Sequence, residues 1–113
     1  MGSILTTIKK LLGINEEYTT FDNDLIVHIN SVISILSQIG VGPSNGFSIS
    51  DKSSTWNELV SDKRLESVKS YVYLKVKLLF DPPQSSVVME SYNRAISELE
   101  WRIANTNTNT NIN

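Results

Sequence analysis

Residues 71–83 read Tyr71-Val72-Tyr73-Leu74-Lys75-Val76-Lys77-Leu78-Leu79-Phe80-Asp81-Pro82-Pro83, an almost wholly apolar run that stops at two prolines. Wound at 3.6 residues per turn, the segment over 63–80 places Leu65, Val68, Val72, Val76 and Leu79 in one stripe. Tyr71, Leu74 and Leu78 cover most of the remaining circumference, and only the sector around Lys63, Tyr73 and Lys77 stays polar. Proline lacks the amide hydrogen and restrains the residue before it, so the helix must end by Asp81. A helix apolar nearly all round has to be covered on several sides. In a chain of 113 residues, one domain is expected to leave part of this surface for another subunit.

Downstream, a second long helix is predicted over 87–104, capped by Ser85 or Ser86, with Val88, Met89, Tyr92, Ile96, Leu99 and Ile103 on its core face. Trp101 falls about 180° from the Leu99–Ile103 side and shares the far face with Glu90, Arg94 and Glu98. A tryptophan among charges reads as an interface anchor, or as part of a second packing surface within the chain. Upstream, Leu25, Ile29, Val32, Leu36 and Ile39, widened by Ile26 and Ile33, predict a helix over 23–39. Asp22 is the expected N-cap, with Phe21 and Ile26 as a hydrophobic staple. Ile4, Leu5, Ile8, Leu11 and Leu12 predict a short helix over 3–12, stopped by Gly13 and followed by a polar link.

Between the second and third long segments, Gly40, Gly42, Pro43 and Gly46 form a dense turn cluster. Residues 47–50 alternate apolar and polar, as a short strand or an extended loop edge would. Thr55 and Glu58 have capping-box spacing before a helical turn over 56–60. The predicted fold is mainly α: a small four-helix-type bundle with a long loop or short β-hairpin between helices two and three, and an extended C-terminal tail. Residues 1–104 form the helical domain and 105–113 a low-complexity Asn/Thr tail. The tail reads either as a solvated end or as an extended peptide that pairs with a partner's sheet edge.

The composition, 40% hydrophobic and 19% charged, suits one globular domain. A net charge of -2 speaks against a conventional nucleic-acid binder, which needs clustered cations. The absence of cysteine removes disulfide scaffolds and zinc-thiolate sites. No apolar run is long enough to span a membrane, and Lys9 and Lys10 interrupt the start too early for a signal peptide. Met1-Gly2-Ser3-Ile4-Leu5-Thr6 fits the myristoylation pattern, read here as a chance match ahead of an amphipathic helix.

Residues with catalytic potential do not assemble into a pattern. The glycines at 40, 42 and 46 lack the spacing of a phosphate-cradling loop, and no Lys-Ser or Lys-Thr pair follows them. His28 is the only histidine and reads as boundary packing. Asp22 and Asp24 suit helix-start electrostatics, and Glu98 and Glu100 lie on differing faces. Neither enzymatic activity nor a cofactor or metal is expected.

One ordered set of short motifs carries a resemblance. It comprises Phe-Asp-x-x-Leu at 21–25, Gly-Val-Gly-Pro at 40–43, Gly-Phe-x-Ile at 46–49 and Thr-Trp at 55–56. These are followed by Val-Lys-x-Tyr-Val-Tyr-Leu-Lys-Val at 68–76, Leu-Leu-Phe-Asp-Pro-Pro at 78–83 and Glu-Leu-Glu-Trp-Arg at 98–102. In order and spacing the chain, over residues 3–104, resembles the head-tail connector (adaptor) proteins of tailed bacteriophages of Gram-positive hosts. The resemblance implies a non-enzymatic virion protein of the neck, built in the host cytoplasm. It would form a dodecameric ring on the portal protein, extend the channel for double-stranded DNA without binding it specifically, and seat a stopper or tail-completion protein. It implies no membrane partner.

On that reading, Trp101, Arg94, Thr106, Asn107, Thr108 and Ile112 are the expected contacts with the portal or a neighbouring subunit. Phe47, Ile49, Lys52 and Trp56 are expected to face the lumen or the next ring. Ring closure requires two different patches that fit each other. The alternative is a small helical phage-encoded DNA-binding regulator that reads DNA with the helix over 63–80, using Lys63, Arg64, Lys69, Lys75 and Lys77. A third reading is an antitoxin-like or scaffold helix bundle.

Overall fold

A computed structural model describes residues 2–106. Five helices follow in order: α1 (Ile4–Leu11), α2 (Asp22–Gln38), α3 (Trp56–Leu59), α4 (Leu65–Phe80) and α5 (Ser86–Asn105). Among the described residues there is no strand, only an isolated bridge between Ser3 and Thr55. Residues 47–50, read from sequence as a strand or loop edge, form an extended loop edge. The body is a flat slab, 46 × 35 × 21 Å, so its thin dimension holds about two helix diameters.

α4 is the hub. It packs against α1, α2, α3 and α5, whereas α2 and α5 pack on α4 rather than substantially on each other. Val68, Tyr71, Val72 and Val76 are fully buried, and Leu65, Leu74 and Leu78 are half-buried against the core. Of the apolar residues of α4, only Leu79 is exposed, at 53%. This corrects the expectation that the protomer leaves much of this helix uncovered. Four neighbouring helices suffice to enclose it, and the exposed apolar surface lies elsewhere.

The start of the chain is stitched onto the end of the long loop. The Ile4 amide donates to the Ser54 carbonyl (3.0 Å), and the Trp56 amide donates to the Gly2 carbonyl (3.1 Å). The Trp56 ring is buried, with its Nε1 donating to Thr7 Oγ1 at 3.0 Å. Glu58 Oε1 accepts from the Thr55 amide at 2.8 Å, the carboxylate half of the predicted capping box. Within the loop, Gly42 has φ +101°, and a Cβ there would lie 3.3 Å from Leu59 Cδ1. Both the backbone conformation and the close approach therefore favour glycine.

The start of α2 differs from the sequence reading. Phe21 is the N-cap and makes no capping side-chain bond, while Asp22 is the first helical residue. The Asp22 carboxylate instead reaches Lys9 Nζ at 2.8 Å. Phe21 is not a staple. Its ring packs edge-on against Tyr18 (centroids 5.7 Å apart) and Phe80 (5.2 Å apart). That contact brings the beginning of α2 to the end of α4, so the two helices run antiparallel.

α5 starts at Ser85, whose hydroxyl accepts from the Val88 amide. Its predicted core face is buried only in part. Ile96 and Ile103 are buried and Met89, Tyr92 and Leu99 are half-buried, but Val88 is 40% exposed.

Candidate assembly surfaces

Three surface regions come out of this architecture. The first is the outer face of α5. Ile96 and Ile103 anchor the helix to α4, and Tyr71 adds a polar tie: its hydroxyl donates to Glu100 Oε2 at 2.6 Å. Burial, together with that carboxylate, pushes the Tyr71 phenol well above its ordinary value. The opposite side of α5 carries Val87, Arg94, Glu98 and Trp101, all exposed, with Trp101 at 68%. Glu98 is engaged by Arg102 Nη2 at 3.0 Å, whereas Arg94 has no carboxylate partner among the described residues.

The second region is the rim where α2 begins and α4 ends. Tyr18 is 49% exposed, Phe21 36% and Val27 63%. Glu16, Glu17 and Asp24 are exposed around them, and no cation pairs with any of the three among the described residues.

The third region is a cleft of about 560 Å³ between α1, the 14–20 link, the start of α2 and the 50–52 segment. Lys9, Glu16, Asp22, Asp51 and Lys52 line it. Lys9 is 2% exposed, an unusual state for a lysine. Its ammonium is held by Asp22 and by the Glu16 carbonyl at 2.9 Å. Beyond the cleft, Asn30 clamps the long loop from α2: its Nδ2 donates to the Ile49 carbonyl (2.9 Å) and its Oδ1 accepts from the Ile49 amide (2.8 Å).

The residues expected to face a lumen or a second ring separate into two groups. Ile49 and Trp56 are core residues, 3% and 2% exposed, and their side chains present nothing to a partner. Asn30 draws Ile49 inward, and the Trp56 indole fills the space under α1. Phe47 is half-buried against the core, and Lys52 is exposed at the mouth of the cleft.

Of the residues expected to contact a portal or a neighbour, Arg94 and Trp101 share one exposed face. Thr106 caps the end of α5, its Oγ1 donating to the Arg102 carbonyl at 2.6 Å. Asn107, Thr108 and Ile112 lie outside the described residues. Sequence reading missed the Lys9–Asp22 pair, the Asn30 clamp and the Tyr18–Phe21–Phe80 cluster. Only the last left a signal, in the aromatic residues placed just before α2 and just before Asp81.

The cations assigned to the DNA-reading alternative are mostly engaged within the chain. Arg64 pairs with Asp62 (2.9 Å), Lys69 with Glu66 (3.6 Å) and Lys77 with Asp81 (3.0 Å). Lys75 Nζ lies 5.9 Å from the centroid of the Tyr71 ring. α4 is enclosed by the other helices, so it cannot enter a DNA groove, which needs a free helix face. No described helix is long and apolar enough to cross a membrane. Among the described residues no group of three or more His, Cys, Asp or Glu is placed to hold a metal ion.

The described residues form a small all-helical module. A family model described as phage connector protein matches residues 4–110, and the chain belongs to that family of phage head-tail connectors. No curated protein and no solved structure matches it significantly.

Proposed function

We propose that the chain is an adaptor that assembles as a ring on the portal vertex, prolongs the DNA channel after packaging and offers a seat to a stopper or tail-completion protein. Membership of the connector family supports the role of a structural virion protein at the head-tail junction. The observation that carries the reading to assembly is the exposed face of α5. It displays a 68% exposed tryptophan on a helix whose other side already provides its fixings to the body. Exposed tryptophan beside arginine is the composition of interface hot spots.

The weak acidic balance, with a net charge of -2, fits a channel wall that lets DNA slide, because each tight phosphate contact would add drag. Lys52 and the edge of Phe47 remain the loop side chains available to a second ring or to the lumen. Thr106 and the Asn/Thr tail beyond it are proposed to extend the portal-facing end.

The test is sedimentation of the purified chain with and without the portal protein of the same phage. The chain alone is expected to be monomeric or weakly associated, and to form a large complex when the portal is present. Failure to co-sediment at about micromolar concentration, where a specific contact of this class should be populated, would remove the reading.

A further inference from the structure

The loop between α2 and α3 holds the one Asn-Gly pair of the sequence, Asn45-Gly46. Both residues are exposed. The Gly46 amide donates to the Pro43 carbonyl at 3.0 Å, closing a four-residue turn. Gly46 has φ +95°, and a Cβ built on it would meet nothing within 4 Å. The Asn45 carboxamide makes no hydrogen bond among the described residues. The other described asparagines are restrained. Asn30, within α2, gives its carboxamide to the Ile49 backbone. Asn15 Oδ1 accepts from the Glu17 amide at 2.8 Å. Asn23, Asn57, Asn93 and Asn105 lie in α2, α3 and α5, where helical dihedrals hold the following amide nitrogen off the side-chain carbon.

We propose that Asn45 is a site of spontaneous deamidation, with water as its co-reactant. The Gly46 nitrogen, having lost its proton to hydroxide, attacks Asn45 Cγ. The N–Cγ bond forms as the Cγ–Nδ2 bond breaks, and Nδ2 leaves as ammonia with a proton returned from water. Asn45 and Gly46 then share a five-membered imide. Water opens that ring at Cγ to give aspartate, or at the Asn45 backbone carbonyl to give isoaspartate. One water enters and one ammonia leaves, and nothing is oxidised or reduced. Glycine favours the attack because it has no side chain to shield its nitrogen. The turn bond to Pro43 has to open first, and a lone bond in an exposed loop opens at little cost.

The product carries a negative charge where Asn45 was neutral, and isoaspartate routes the main chain through one additional carbon. Both changes fall between two fixed points. Val41 is buried, and its amide donates to the Leu36 carbonyl at 3.0 Å. Ile49 is held by Asn30. The helical body therefore keeps its structure while the loop changes in charge and path. This goes beyond the adaptor reading and does not depend on it.

The test incubates the purified full chain at about pH 7 and about pH 9 beside a synthetic peptide of residues 41–49, the unrestrained reference. Peptide mapping by mass, with fragmentation that separates aspartate from isoaspartate, follows each asparagine. The expected result is a gain of about one mass unit at Asn45 ahead of every other asparagine, faster at the higher pH and within about tenfold of the peptide's rate. Hydroxylamine added during the incubation should trap the imide and split the chain between Asn45 and Gly46. Asn45→Gln, which would need a less favoured six-membered ring, should lose both signals with an unchanged circular dichroism spectrum. A chain that stays unmodified at Asn45 while the peptide converts would overturn the proposal, because the turn to Pro43 would then be protective. Modification appearing first at Asn30 or in the 105–113 tail would overturn it as well.

Discussion

Removing the Asp22 carboxylate with an Asp22→Ala substitution would leave the Lys9 ammonium buried, with the Glu16 carbonyl as its remaining partner. Breaking a buried pair from one side costs several kcal/mol, and the partial exposure of Asp22 places this case near the low end, about 3 kcal/mol. Lys9→Met, which removes the charge that needs compensation, should cost less. Urea unfolding midpoints of the two variants check the order. Asn30→Ala orphans the amide and carbonyl of Ile49 and should cost about 2 kcal/mol, with accelerated hydrogen exchange at Ile49 and unchanged exchange in α4. Tyr71 gives a pH test. Its phenol titrates above the ordinary 10.0 in the folded chain, so the folded state holds that proton more tightly than the unfolded state does. Its contribution is complete below pH 10 and is lost as the pH rises beyond it. Stability of the parent chain should fall more steeply between neutral pH and pH 11 than that of Tyr71→Phe, as read by denaturant midpoints.

At the scale of elements, α1 and α3 depend on one indole. Trp56→Ala removes the ring under α1 and the bond to Thr7, and should destabilise the chain by about 3–5 kcal/mol. Helix periodicity made α2, α4 and α5 legible from sequence, because a stripe of Val, Ile and Leu at helical spacing has few other solutions. The double proline and Ser85 likewise marked the turn between α4 and α5. The role of Asp22 was not legible. A carboxylate at a helix start suits a cap equally well, and only the fold brings Lys9, thirteen positions earlier, to it. Nor was the burial of Ile49 and Trp56. An alternating stretch after a glycine cluster looks like a surface loop until Asn30, far away in sequence, is seen to hold it. The exposed placement of Trp101 was readable, since it follows from counting turns along a single helix.

For the whole molecule, the sequence overestimated how much of α4 the protomer leaves bare, because it gives periodicities but not how many neighbours gather round one helix. The exposed large apolar side chains are Trp101, Val87 and Val88 on α5, Tyr18, Phe21 and Val27 beside and on α2, Leu11 at the end of α1 and Leu79 near the end of α4. Trp101→Ala should therefore change monomer stability by no more than about 0.5 kcal/mol, while weakening assembly on the portal in co-sedimentation. An unfolded variant would instead make that ring part of the core.

α5 has its main support from α4, so a neighbour that tugs on α5 passes the pull to α4, through Ile96, Ile103, the half-buried Leu99 and the Tyr71–Glu100 link. From α4 it reaches α1, α2 and α3, which all rest on that one helix.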